Sequence, residues 1–233
     1  MPIKRFYQKD LKKDDLTIEI QGSEFHHLKN VMRVKEKEEV DIINGKGLIA
    51  KAKLTKIHKS YSTFNILSKT FQKEKDYKTI LVQAIIQPLK LDFLLEKCTE
   101  LDVDEFYFFC SKNSEKINFS KNRLERMNNI LISSIKQCSK LYLPKINILK
   151  SLYEISFDGT IYYGSTKKAP LLKNSIKKSK KSYFVIGPSM GFDSKEIEFL
   201  SNINALSVSL SDNILRSETA SIASICLLNH LIK

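Results

Sequence analysis

Hydrophobic and polar positions follow two different rhythms along this chain, and the rhythm changes near residue 79. Before that point, residues 16–20, 39–43, 48–57 and 62–67 alternate or run as short strands rich in Ile, Val and Leu. Asn44, Gly45, Lys46 and Gly47 supply a hairpin turn between two of them. Short strands around tight turns predict a barrel. One helix interrupts it: Ser23 stands as a cap before Phe25, Leu28, Val31 and Met32 on one face, which turns His27, Asn30 and Arg33 to other surfaces.

From residue 79 the pattern alternates strand with helix. Residues 79–86 form an apolar run, 90–101 a helical pattern with Leu91, Leu94, Leu95, Cys98 and Leu101 inward, and 103–110 a second apolar run. Residues 120–141 predict a long helix with Leu124, Met127, Leu131, Ile135 and Cys138 inward, stopped before Pro144. Further strands are predicted at 161–164 and 182–187. Such alternation implies a parallel sheet covered on both faces. The charged, aperiodic stretch 71–78 reads as a linker, so the expected units are 1–70, β-rich, and 79–233, α/β.

Two strand-loop-helix units near the end are the best candidates for a working site. In the first, the strand 182–187 runs into a turn from Gly187 to Gly191, and Asp193 with Glu196 forms a capping box that opens a helix at 193–200. In the second, 205–210 reads as a buried strand and Ser211, Asp212 and Asn213 as N-caps of a helix at 214–231 whose inward face carries Leu215, Ile222, Cys226 and Leu227. Open α/β sheets bind ligands where strand ends meet helix N-termini. Neither loop has the spacing of a phosphate-binding P-loop or a dinucleotide turn, and the chain has no H-E-x-x-H or Cys/His cluster, so no metal is expected.

Composition narrows the partner. No apolar run approaches membrane-spanning length, and the start lacks the apolar core of an export signal, which predicts no membrane association and a cytoplasmic protein. Cys98, Cys110, Cys138 and Cys226 are far apart, with three on predicted apolar faces, as free buried thiols in a reducing compartment would be. The net charge of +13 draws the chain to polyanions, and without a basic amphipathic helix nucleic acid is favoured over an anionic membrane.

Gly187, Pro188 and Gly191 before a helix, and then Leu210, Ile214, Leu215, Arg216, Glu218, Thr219 and Ala220, resemble the paired C-terminal signatures of the RsmE family of SPOUT methyltransferases. That family methylates N3 of a uridine in small-subunit ribosomal RNA with S-adenosylmethionine. His27, Val31, Met32 and Arg33 resemble a stretch of its PUA-like RNA-binding domain; Lys90, Lys97, Glu100, Leu101 and Val103 resemble a block of its methyltransferase domain, and Gln137, Cys138 and Pro144 another. The resemblance implies an α/β fold: a C-terminal SPOUT domain with a parallel sheet and trefoil knot, plus a small N-terminal PUA-like β-barrel. It also implies a homodimer acting on 16S rRNA or the small ribosomal subunit, with the site at the subunit interface.

By the same resemblance Gly164, Ile186, Gly187, Gly191, Leu210, Ile214 and Leu215 hold S-adenosylmethionine. Arg216 steadies a uracil anion or a phosphate, its alternative being a loop-pinning ion pair with a carboxylate elsewhere or with Glu218, which is itself a second catalytic candidate with a structural alternative. Arg33, Lys35, Lys51, Lys53 and Lys90 are candidate RNA contacts, each with a solvated face as alternative. The chain departs from the family's usual Gly-Pro-Glu-Gly-Gly at Ser189 and Met190, which strains Met190 if that position needs a positive φ. Ser211, Asp212 and Asn213 lack a usual glycine and arginine, and Lys112, Asn113 and Tyr142 stand where the family has other charges. The alternative function is a catalytically weakened, RNA-binding or ribosome-associated relative.

Overall fold

The computed structural model describes residues 4–115 and 117–232. The chain forms two units: one runs to Glu74 and also takes in Ile132–Leu143, and the other comprises Lys75–Leu131 and the chain from Pro144.

Alternation builds the first unit. Strands β1 (Arg5–Tyr7), β2 (Thr17–Gln21), β3 (Glu39–Ile43), β4 (Leu48–Ile57) and β5 (Tyr61–Phe71) form one mixed sheet in the order β1-β3-β4-β5-β2, with β1 parallel to β3 and the other pairs antiparallel. β1 and β2 stay at the edges, so it is a half-barrel. Every second residue turns inward: Ile18 and Ile20 of β2, Ala50, Ala52 and Leu54 of β4, and Phe64 of β5 meet Phe6 and Ile42 in one core. Register shifts at Lys51/Ala52 and Leu54/Lys56 bend the long β4–β5 pair.

The interrupting helix differs from expectation. Helix α1 (Gly22–His26) follows Gln21, which makes no side-chain cap bond, and Ser23 lies inside the helix instead of capping it. It continues as a π-helical turn over His27–Val31, closed by Met32 N–H donating to the His27 carbonyl at 2.9 Å. The wider turn keeps Phe25 and Leu28 inward but carries Val31 off the buried face, leaving it 60% exposed. Residues 132–143 join this unit through Ile135 and Leu141, which cluster with Ile43, and through Lys136, which pairs with Glu24 at 2.6 Å.

The second unit is a parallel sheet. Strands β6 (Lys78–Ala84), β7 (Glu105–Phe109), β8 (Lys145–Leu149), β9 (Thr160–Gly164), β10 (Lys181–Ile186) and β11 (Leu206–Val208) lie in the order β11-β9-β10-β6-β7-β8, every neighbouring pair parallel. Along the chain between these strands come helices α2 (Pro88–Glu100), α3 (Lys121–Cys138, which belongs to this unit only as far as Leu131), α4 (Ser194–Asn202) and, after β11, α5 (Ser217–Leu231). β6 and β10 are buried along almost their whole length, as central strands covered on two faces must be. On one face Ile80, Val82, Val185 and Tyr163 pack with Leu200 of α4; on the other, α5 lies against β6 and β10.

Three expectations change here. β11 is an edge strand in which only Val208 is buried, because it pairs with β9 alone. α3 stops at Cys138, where Ser139 takes a positive φ of 67°, and Leu124 lies partly exposed instead of inward. Of the four free thiols only Cys98 is fully buried, which pushes its pKa far above the ordinary thiol value, while Cys110 and Cys226 are exposed.

The capping box forms as expected. Asp193 accepts from the Glu196 N–H at 2.8 Å, and Glu196 accepts from the Asp193 N–H at 2.9 Å. Asp193→Ala removes that cap and leaves donors of the first turn of α4 unpaired. Its expected cost is about 1 kcal/mol, read as a lowered midpoint in urea unfolding with unchanged slope.

Candidate active site

Strand order brings the candidate loops together. β11, β9 and β10 are neighbours, with Val208 beside Gly164 and Val185 beside Tyr163 in register, so the chain leaves three adjacent parallel strands on the same edge. Gly164 ends β9 at a close approach: a Cβ there would lie 3.2 Å from Ile186 Cδ1. Thus Gly164, Ile186, Gly187 and Leu210, far apart in sequence, stand at one end of the sheet. This is where ligands of open α/β sheets bind.

The turn after β10 is held from several sides. Gly191 N–H donates to the Pro188 carbonyl at 2.9 Å, Asn113 Nδ2 donates to the Gly191 carbonyl at 3.3 Å, and Ser217 Oγ donates to the Gly187 carbonyl at 2.8 Å. Ser111 Oγ adds a bond to Glu196 Oε2 at 2.9 Å. The positive φ of this turn, 78°, falls on Gly191. Met190 has none, so the strain that a positive φ would bring at Met190 does not arise, and its side chain points out, 81% exposed. Asn113, one of the positions where the family has another charge, works here as a clamp on the turn.

The loop after β11 is longer than its sequence suggested. α5 starts at Ser217 and not at Ile214; Arg216 occupies the N-cap with no side-chain cap bond. Ser211 and Asn213 instead bond within the loop, Ser211 Oγ accepting from the Asn213 N–H at 3.2 Å. These polar residues favour loop turns as well as caps, and here they turn the loop. Ile214 is 79% exposed and Leu215 half-buried. Among the described residues, the backbone N–H groups of Leu210, Ile214 and Leu215 make no hydrogen bond. The first turn of α5 likewise presents free amides and the positive end of its dipole.

The charged candidates separate. Arg216 is exposed and makes no ion pair among the described residues. The Arg216–Glu218 pair is not formed. Glu218 instead reaches Lys90 at the start of α2, Oε1 to Nζ 3.2 Å, and its Oε2 is buried without a hydrogen-bond partner among the described residues.

In the other unit, Arg33 and Lys35 are exposed just past the π-helical turn, and Arg33 holds a left-handed φ of 47°. Lys51 and Lys53 line the outer face of β4, opposite Asp41 and Glu39 of β3 in register. His27 sits edge-on to Phe6, and burial together with nearby Lys136 lowers its pKa below the ordinary imidazole value.

Residues 73–229 match the model of an RNA methyltransferase domain, and residues 20–67 that of an RNA methyltransferase PUA domain. The ribosomal RNA small subunit methyltransferase E of Mesomycoplasma hyopneumoniae is 32% identical over 64% of this chain and 68% of its own length. The protein of the same name from Buchnera aphidicola (Schizaphis graminum) is 29% identical over 96% of this chain and 94% of its own. Among solved structures, the ribosomal RNA small subunit methyltransferase E of Neisseria gonorrhoeae, bound to S-adenosyl methionine, superposes with a TM-score of 0.89 at 27% identity, covering 98% of both chains.

Proposed function

We infer the function from one premise: this chain belongs to the RNA methyltransferase family, whose model spans residues 73–229. We propose that it methylates N3 of a uridine in 16S rRNA with S-adenosylmethionine, acting in the cytoplasm on the small ribosomal subunit or its RNA. The observation that carries this reading is the set of three adjacent parallel strand ends, the last of which, β11, runs into a loop whose amides and arginine have no partner among the described residues.

The residues fit the cofactor. Gly164, Ile186 and Gly187 leave a close-packed apolar floor; the free N–H groups of Leu210, Ile214 and Leu215 match the acceptors of an adenine and an amino-acid carboxylate. Gly191 lets the turn close without a side chain, its Cβ position facing open space. S-adenosylmethionine, when bound, supplies a methyl group activated by its sulfonium. The unstrained Met190 removes one motive for reading the site as decayed.

The chain's own residues supply the rest. N3 of neutral uracil carries a proton that must leave before a bond forms there, and the developing charge spreads onto O2 and O4. Arg216, unpaired and preceding the positive end of α5, is the group assigned to that anion. Glu218 is assigned a positioning role, holding Lys90 beside the first turn of α5, where Lys90 keeps a cation available to RNA phosphate. Arg33, Lys35, Lys51 and Lys53 are assigned to the RNA backbone from the PUA unit.

A homodimer belongs to this proposal. α5 turns Cys226 out and leaves Ile222 and Leu227 only half-buried, while Ile214 and Met190 are exposed, apolar side chains that a second copy would cover. Light scattering at low micromolar concentration reads the mass directly.

Titration calorimetry with S-adenosylmethionine tests the cofactor reading. Saturable binding is expected, with transfer of radiolabelled methyl to small-subunit particles. A folded protein that binds nothing at about 1 mM ligand, a Kd worth only about 4 kcal/mol, and stays inert with RNA added, overturns it.

A further inference from the structure

We propose that Gln83 and Ser217 are positioning residues that fix the orientation of the Gly187–Pro188 peptide and thereby the shape of the cofactor pocket. This rests on the reading that the turn from Gly187 to Gly191 holds S-adenosylmethionine.

The helix α5 buries an unusual face. Its fully covered residues are Ser217, Ser221, Ser224, Ile225, Leu228 and Asn229, four of them polar. β6, directly beneath, answers with two polar side chains of its own, Thr79 and Gln83, both wholly buried. The pairs are complementary. At one end Thr79 Oγ1 donates to Asn229 Oδ1 at 2.7 Å, and Asn229 Nδ2 donates to the Leu101 carbonyl at 2.7 Å. At the other, Gln83 Nε2 donates to the Ala84 carbonyl at 2.7 Å and to Ser217 Oγ at 3.0 Å, while Ser221 Oγ donates to Gln83 Oε1.

Counting protons gives the network a direction. Both amide hydrogens of Gln83 are used, so the Ser217 oxygen is an acceptor from Gln83. The single hydroxyl proton of Ser217 is then free for one partner, the Gly187 carbonyl at 2.8 Å. Residue 188 is proline, so the peptide that follows Gly187 has no N–H, and that carbonyl oxygen is its only polar handle. Ser217 therefore decides which way the peptide plane faces. A fully satisfied buried network holds one arrangement against its alternatives, where an apolar contact of the same volume would let the loop turn. The chain from β6 through Gln83 and Ser217 to Gly187 ties the central strand to the pocket rim.

The test is calorimetric titration of S-adenosylmethionine into four proteins, each with its melting temperature recorded: wild type, Ser217→Ala, Ser217→Thr and Ser224→Ala. Ser224 is buried on the same helix, but its hydroxyl donates only to the Ser221 carbonyl at 2.8 Å, outside the relay. Ser217→Ala is expected to weaken binding about tenfold, since Gly187 and Gln83 each lose a partner. Ser217→Thr, which keeps the hydroxyl, is expected to restore it to within about threefold. Ser224→Ala is expected to lower the melting temperature and leave affinity unchanged. If Ser217→Ala does not fold, Gln83→Leu takes its place, with the same expected loss.

Affinity unchanged in Ser217→Ala (or in Gln83→Leu), or lowered equally in Ser224→Ala, overturns the inference while the pocket reading stands. A folded wild type that does not bind removes the pocket reading and the inference together.

Discussion

Arg216→Ala is expected to lower the rate of methyl transfer by about 10²- to 10³-fold while leaving S-adenosylmethionine affinity within about threefold of wild type. The split follows from the place of the side chain. Arg216 is exposed and makes no ion pair among the described residues, so its loss leaves no buried charge behind and the melting temperature stays put. Its backbone carbonyl, which accepts from the Ala220 N–H at 2.8 Å and so starts α5, survives in alanine. What disappears is the cation that the proposed function assigns to the charge uracil gains on losing its N3 proton. Arg216→Lys keeps the charge but not the planar fork, and an intermediate rate is expected. Single-turnover transfer of labelled methyl to small-subunit particles, with cofactor affinity measured separately, checks the split. A rate within threefold of wild type would remove Arg216 from the chemistry.

The sequence carried the parts of the fold that depend on local pattern. β3 and β4 have the very bounds that alternation predicted, and the Asp193–Glu196 capping box forms as the residues suggest. Hydrophobic periodicity failed where burial is not apolar. Helical spacing puts Ile222, Cys226 and Leu227 inward on the last helix, yet its covered face carries Ser217, Ser221, Ser224 and Asn229 beside Ile225 and Leu228, because Gln83 and Thr79 lie beneath the polar four. No local rule reveals that a serine is buried when its partner is more than a hundred residues away.

The same limit explains the other misses. Ser211, Asp212 and Asn213 have the chemistry of caps, and that chemistry serves equally to turn a loop, so the helix start they predict falls three residues early. A π-helical turn shifts Val31 off the face that a regular period assigns it. Residues 132–143 belong with the N-terminal unit through contacts such as Ile135 to Ile43, which helical spacing cannot assign. The candidate site residues lie in two motifs of the sequence, but the meeting of those motifs is not legible there. Only the order β11-β9-β10 shows that Gly164, Ile186 and Leu210 share one edge.

Gly47→Ala is expected to destabilise the N-terminal unit by about 3–5 kcal/mol, a large fraction of the roughly 5–15 kcal/mol that holds a domain folded. Two costs add. Gly47 has a φ of 90°, which a residue with a Cβ rarely adopts. That Cβ would also fall 2.5 Å from the Gln72 carbonyl oxygen and 2.4 Å from Tyr142 Oη. The tyrosine can swing, but the backbone cannot: Gln72 N–H donates to the Gly47 carbonyl at 2.9 Å, and Gly47 N–H to the Leu141 carbonyl at 3.0 Å. Gly22→Ala is the control, with a φ of 65° and nothing within 4 Å of its Cβ. It is expected to cost only the backbone term, about 1 kcal/mol. Urea unfolding of both variants separates clash from strain, and a difference below about 1 kcal/mol would refute the clash. Because Gly47 is bonded to Leu141, the same variant should speed amide exchange around Leu141–Leu143 before it affects the strands of the parallel sheet.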